Sequence, residues 1–132
     1  MTRHIDFGKK GEDQAAEWLI QKGYEILHRN WRYGRYEVDI IARLGQVLHF
    51  IEVKSRHLSA YGPPEESINR KKIRNMMLAA LEWRHRFTLH NSTPDPIAHH
   101  SISYTRVQYD VLAITIDSGN DPEYFFIEDV SL

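Results

Sequence analysis

The chain has 132 residues, 42% hydrophobic and 27% charged, an ordinary globular composition that predicts one domain spanning residues 1–132 around one compact core. It holds no cysteine, which excludes disulfides and thiolate zinc sites and leaves oxygen or imidazole as the ligands for any metal. A formal charge of -1 excludes a uniformly cationic coat; however, all 17 basic residues lie before Val107 against 12 acids there, so Met1 to Arg106 carries +5 and offers a polyanion a local positive face.

The first residues, Met1 to Asp6, lack the apolar segment of a signal peptide, and no apolar run approaches membrane-spanning length. We therefore expect a cytoplasmic protein with no membrane partner. Lys9 to Lys22 reads as a helix, because Glu12, Ala15, Ala16, Leu19 and Ile20 fall on one stripe and Gly23 is placed to end it. Tyr24 to Trp31, Tyr36 to Leu44 and Val47 to Ser55 follow as three antiparallel strands rich in β-branched and aromatic residues, separated by Gly34 and by Gly45-Gln46. A second helix is expected from about Ser67 to Phe87, burying Ile73, Met76, Met77, Ala80 and Leu81. His90 to Ser103 reads as a long loop, and Arg106 to Ile116 and Glu123 to Glu128 as two further strands. This order predicts an α/β fold, a mixed sheet of about five strands flanked by helices, since the crossover helix lets a later strand join in parallel.

Within that frame the charged residues are unevenly placed. Strand alternation puts Glu37 and Asp39 on one face of the second strand, with Val38 and Ile40 on the other, and puts Glu52 and Lys54 on one face of the third. A hairpin closed at Gly45-Gln46 by a two- or four-residue loop pairs Asp39 with Glu52 and Glu37 with Lys54, whereas a three-residue loop breaks that register. Two carboxylates about 5 Å apart repel by roughly 3 kcal/mol at an effective dielectric of 20. A divalent cation offsets this: Mg²⁺ prefers one or two carboxylates plus waters and phosphate oxygens, and Lys54 lands beside the same place. Glu12, an acid in an otherwise apolar helical stripe, points to the sheet and must find a partner there. The plain alternative is that Lys54 and Arg56 form salt bridges with Glu37 and Asp39.

The spacing Asp39, then Glu52-Val53-Lys54, resembles the D...ExK signature of the PD-(D/E)XK nuclease superfamily, which includes type II restriction enzymes and archaeal Holliday-junction resolvases. A closer resemblance, over nearly the whole chain, is to the YraN-like family of uncharacterised, endonuclease-like bacterial proteins. It rests on Gly8-x-x-Gly11-Glu12, on Gly23-Tyr24-x-Ile26-Leu27-x-x-Asn30-x-Arg32, on Glu37-Val38-Asp39-Ile40-Ile41-Ala42 and Phe50-Ile51-Glu52-Val53-Lys54-Ser55-Arg56, and on Tyr61-Gly62-x-Pro64-x-Glu66 with Lys72. Two departures stand out: Tyr36 replaces the family's Gly before the Glu-x-Asp, and Gln108-Tyr109-Asp110 replaces an Arg-Phe-Asp.

The resemblance implies a restriction endonuclease-like fold and Mg²⁺ (or Mn²⁺) held by Asp39, Glu52, the Val53 backbone carbonyl and Glu12. It implies that Lys54 orients the attacking water and stabilises charge on the phosphate, and it singles out Lys72 on the second helix. Arg70, Lys71, Lys72, Arg74, Arg84 and Arg86 stand there against the single acid Glu82, a pattern suited to phosphate contact or simply to a solvated helix face. Arg35, between Tyr33 and Tyr36, and Arg56 complete the candidate substrate contacts. The expected function is Mg²⁺-dependent hydrolysis of DNA phosphodiesters, branched or damaged DNA included; the rival is a non-cleaving nucleic-acid-binding or adaptor module on the same fold. A homodimer would suit symmetric cutting, with Trp83 or Tyr124-Phe125-Phe126 as contact surface. Zinc at His85, His90, His99 and His100 matches no ligand spacing, and no G-x-S-x-G elbow supports a serine hydrolase.

Overall fold

The computed structural model describes residues 3–57, 68–88, 102–116, 119 and 121–131, with the backbone alone for 3–9. The elements run α1 (Arg3–Gln21), β1 (Glu25–Tyr33), β2 (Tyr36–Leu44), β3 (Val47–His57), α2 (Arg70–Phe87), β4 (Arg106–Ile116) and β5 (Glu123–Ile127). The strands form one sheet in the order β1-β2-β3-β4-β5, parallel between β3 and β4 and antiparallel elsewhere. This is the mixed α/β sheet expected from the order of elements. No helix among the described residues is long and apolar enough to cross a membrane.

Each helix covers one face of the sheet. Ala15, Ala16 and Leu19 of α1 pack on Ile40, Ala42, Ile51, Leu112 and Ile114. On the opposite face Ile73, Met76, Ala79, Ala80 and Trp83 of α2 pack on Trp31, Val38, Ile41, Leu48, Phe50 and Val111, and the Trp31 indole N–H donates to the Ala79 carbonyl at 3.0 Å. The buried stripe of α2 therefore passes through Ala79 and Trp83 rather than Leu81, which is 60% exposed. Leu81 follows Ala80 by about 100° of helical turn, which carries it to the outer flank. Ile20 on α1 is likewise exposed. Trp83 is buried in the core and offers no dimer surface; Tyr124 and Phe126 pack on Trp18, leaving Phe125 exposed.

The element ends follow local chemistry. Helix α1 begins before Lys9, since nothing from Arg3 onward is a proline and each added residue contributes a hydrogen bond. It ends where Gly23 takes φ 95°, with Gly23 N–H donating to Ile20 O and Tyr24 N–H to Leu19 O, so Tyr24 closes the helix instead of opening β1. Helix α2 starts three residues after Ser67 because Asn69 caps it, its side-chain oxygen accepting from Lys71 N–H at 3.0 Å and Lys72 N–H at 3.2 Å. Strand β5 stops before Glu128, where the chain turns through Asp129 at φ 56°. Ser67, Tyr61 to Glu66 and most of the loop from His90 to Ser103 lie outside the described residues; Ile102 bridges to Thr88.

Gly11 sets how closely α1 approaches β3. A Cβ built there would lie 1.8 Å from Ser55 Oγ and 3.1 Å from Ser55 Cβ, so the helix backbone rests almost directly on the strand. We expect Gly11→Ala to destabilise the fold by about 1–2 kcal/mol although alanine favours a helix by about 1 kcal/mol. Adding Ser55→Ala should recover most of the loss in urea denaturation; strictly additive effects would show that the two residues do not meet.

Candidate functional site

Strands β2 and β3 pair from Leu44↔Val47 to Ile40↔Ile51, the register expected from a two-residue turn at Gly45-Gln46, and there the pairing ends. Beyond it the strands diverge. In place of a ladder bond, the Asp39 carboxylate reaches across and accepts the Val53 N–H through Oδ2 at 2.8 Å. Asp39 also marks a break in alternation: Val38 packs on the α2 side and Ile40 on the α1 side, so the two do not share a face as strict alternation requires. The neighbouring strand shows why. Trp31 pairs with Val38 and Arg29 with Ile40, and the residue between them on β1, Asn30, takes φ 55°, which twists the ribbon at that point.

A cavity of about 420 Å³ occupies the fork. Glu12 of α1 and Val53 and Ser55 of β3 line one side, Glu52 with Lys72, Asn75 and Met76 of α2 the other, and Arg35, Tyr36, Glu37 and Asp39 the entry to β2. Because the strands have parted, side chains from both sheet faces meet there. The structure thus brings together Asp39, Glu52 and Glu12, with Lys72 and Arg35, but through the fork rather than on one face. Lys54 is exposed and is not among the lining residues, and Arg70 is exposed in the first turn of α2. Glu37 pairs with Arg32 at 3.2 Å, not with Lys54.

Each carboxylate is held differently. Glu12 Oε1 meets the Arg29 guanidinium at 3.3 Å, and the same Arg29 nitrogen holds Asp13 at 2.6 Å. Glu52 Oε1 pairs with Lys72 Nζ at 2.9 Å, a contact that raises the lysine's pKa. Among the described residues Asp39 has the Val53 N–H as its hydrogen-bond donor and no ion-pair partner. Burial, reinforced by Glu12, Glu37 and Glu52, lifts its pKa to about 6 despite that hydrogen bond. Arg29 escaped the sequence reading because nothing in its spacing ties it to Glu12; Asn75 was within reach, one helical turn after Lys72.

No group of three or more acidic or histidine side chains among the described residues is disposed to hold a metal by itself. The donor set at the fork is the Asp39 and Glu52 carboxylates, which suits an ion completed by waters and phosphate oxygens, the habit of Mg²⁺ rather than of a fully caged metal. The basic residues of α2 divide. Arg84 donates to the Tyr104 hydroxyl at 3.2 Å and Arg86 pairs with Glu82 at 2.9 Å, whereas Arg70, Lys71, Lys72 and Arg74 stay exposed at the end of the helix next to the cavity.

The Gln108 departure lies elsewhere. His49 Nδ1 and Asp110 Oδ2 are 2.6 Å apart, and Gln108 Nε2 donates both to Asp110 Oδ1 at 2.9 Å and to Glu128 at 3.0 Å. Asp110 Oδ1 also accepts the Asp129 N–H at 2.9 Å. This network fastens the residues after β5 to β4 and contributes nothing to the cavity lining. Tyr36, by contrast, does line the cavity.

Because folding raises the pKa of Asp39, its favourable contribution is complete below pH 3.8 and is lost as pH climbs through about 6. Asp39→Asn removes the charge and keeps an acceptor for the Val53 N–H. It should raise the unfolding free energy of the metal-free protein by up to about 3 kcal/mol near pH 8 and give no gain near pH 4. Urea denaturation at both pH values checks this; equal effects at the two would remove the charge from the account.

The description "Uncharacterised protein family UPF0102" belongs to the family model that matches residues 11–114. A UPF0102 protein of Rhodococcus opacus is 37% identical over 129 residues, covering 98% of both chains. One from Chloroherpeton thalassium is 36% identical over 136 aligned positions, covering 98% of this chain and 95% of the relative. A third, from Phocaeicola vulgatus, is 43% identical over 89 residues, covering 67% of this chain and 74% of its own. The fork residues all fall inside the matched range, and the chain belongs to family UPF0102.

Proposed function

We propose that this protein is a Mg²⁺-dependent endonuclease that hydrolyses phosphodiester bonds in DNA, structured or branched DNA included, at the fork between β2 and β3. The observation that carries the proposal is the meeting of Asp39, Glu52 and Glu12 in one cavity beside the basic first turn of α2. Four carboxylates, Glu37 among them, would not be gathered in a half-buried space without a use for their repulsion. The D...ExK resemblance supplies the reaction class, and the cytoplasmic setting expected from the sequence suits it.

Asp39 and Glu52 would hold the ion, joined by the Val53 backbone carbonyl that the resemblance adds, with Glu12 on the α1 side. When bound, the ion supplies a Lewis acid that draws charge from the phosphate and makes a water more acidic. The protein's own groups do the rest. The Val53 N–H orients Asp39, leaving its second oxygen for the cavity. Arg29 fixes Glu12 by one oxygen. Arg35 at the cavity entrance and Arg70 and Lys72 on α2 bind phosphate oxygens, with Arg56 extending the basic surface on β3. Helix α2 has no acidic residue in its first turn, so the partial positive charge of its N-terminus acts together with these cations. Lys54 orients the attacking water and stabilises charge in the transition state, reaching back from its exposed position on its four-carbon stem.

The exposed position of Lys54 favours a second reading, a non-cleaving DNA-binding module that retains the ion site. Incubating pure protein with single-stranded, duplex and four-way-junction DNA, with Mg²⁺ or Mn²⁺, separates the two. We expect cleavage that needs the ion and that falls at least about 100-fold in Asp39→Ala, Glu52→Ala and Lys54→Ala with circular dichroism unchanged. Wild-type rates in Lys54→Ala would remove that residue from the mechanism, and ion-dependent binding without product would favour the binding module.

A further inference from the structure

Glu12 and Glu52 face the same cavity, each with a cation, but the two cations are tied down unequally. Arg29 is anchored by two acids, Glu12 and Asp13. Among the described residues Lys72 makes one ion pair, to Glu52, whose side chain is only 13% exposed while that of Lys72 is 58% exposed. The carboxylate is largely buried, whereas more than half of the lysine side chain is open to solvent. Lys72 also stands in the first turn of α2, with Arg70 and Lys71 and no acid in that turn, at the end of a helix where a positive charge is disfavoured. Among the described residues its ion-pair partner comes from β3, and Asp39 and Glu37 of β2 add to the negative field around it.

The oxygen that Lys72 touches, Glu52 Oε1, belongs to a carboxylate proposed above to hold a divalent ion. An ammonium at 2.9 Å and a doubly charged ion on the same carboxylate repel each other. We propose that Lys72 is the resident counter-ion of this site: it occupies Glu52 until a divalent cation displaces it, and the released ammonium, still beside the cavity, then takes a phosphate oxygen of the nucleic acid. This inference rests on the metal-dependent reading. It gives Lys72 two alternative anions, and so makes binding of the ion and of the polyanion mutually reinforcing, since whatever takes one member of the Lys72–Glu52 pair frees the other.

The test is binding, without nucleic acid and without turnover. Mn²⁺ is titrated calorimetrically into wild type, Lys72→Met, Lys72→Arg and Lys71→Met, and wild-type crystals are soaked in Mn²⁺. If the pair is closed in about nine molecules of ten, Lys72→Met should bind Mn²⁺ about tenfold tighter than wild type. Lys72→Arg, which keeps the charge, and Lys71→Met, which alters a neighbour without that contact, should stay within about twofold. The loaded wild-type crystal should show Lys72 Nζ withdrawn from Glu52. Unchanged or weaker Mn²⁺ binding in Lys72→Met, or an ion on Glu52 with Lys72 still in contact, overturns the counter-ion role while leaving the metal site standing. No Mn²⁺ at Asp39 and Glu52 in any variant overturns both.

Discussion

Like charges crowded into a half-buried fork are the constraint around which this molecule is arranged. Glu12, Glu37, Asp39 and Glu52 all line one cavity, and each needs compensation that water alone cannot supply once it is partly buried. Arg29, Arg32 and Lys72 attend three of them. Among the described residues Asp39 has a backbone N–H and no ion-pair partner, and it is the one whose pKa is displaced to about 6. The uncompensated carboxylate sits at the root of the fork, where an incoming cation would relieve the most repulsion.

The scaffold holds that arrangement by apolar contacts on either side. Ile40 and Ile51, the last paired residues before the strands part, are fully buried beneath α1, so the root of the fork is anchored in the core. Gly11 lets α1 lie against Ser55, which brings the adjacent Glu12 to the cavity. On the other face Met76 is buried against the sheet and lines the cavity as well, so the packing of α2 and the position of Lys72 one turn earlier are coupled. The polar network of His49, Gln108 and Asp110 is buried away from the cavity and binds the last residues to β4; the Gln108 departure therefore bears on that attachment, and the Tyr36 departure bears on the site.

Much of the fold was legible because it depends on short-range pattern. The two-residue turn at Gly45-Gln46 determined the pairing of β2 with β3, and the helical stripe of Ile73, Met76 and Ala80 identified the buried side of α2. Leu81 was misplaced because a stripe's flank is settled by what packs on it. Alternation failed at Val38 and Asp39, where a single left-handed residue, Asn30 on the adjoining strand, accompanies a change of face that no period-two pattern contains.

For the site, the sequence by itself determined which residues carry charge and, through the turn register, the β2–β3 pairing as far as Ile40↔Ile51, just short of the expected Asp39–Glu52 pair. Chain-local geometry suffices for that. Only the tertiary structure decided that Lys72, eighteen positions beyond Lys54, holds the ammonium on Glu52, that Arg29 restrains Glu12, and that Lys54 is exposed and not among the cavity-lining residues. Those outcomes depend on the packing of two helices on opposite faces of a sheet and on the place where two strands separate, and such long-range distances are set by the whole core at once.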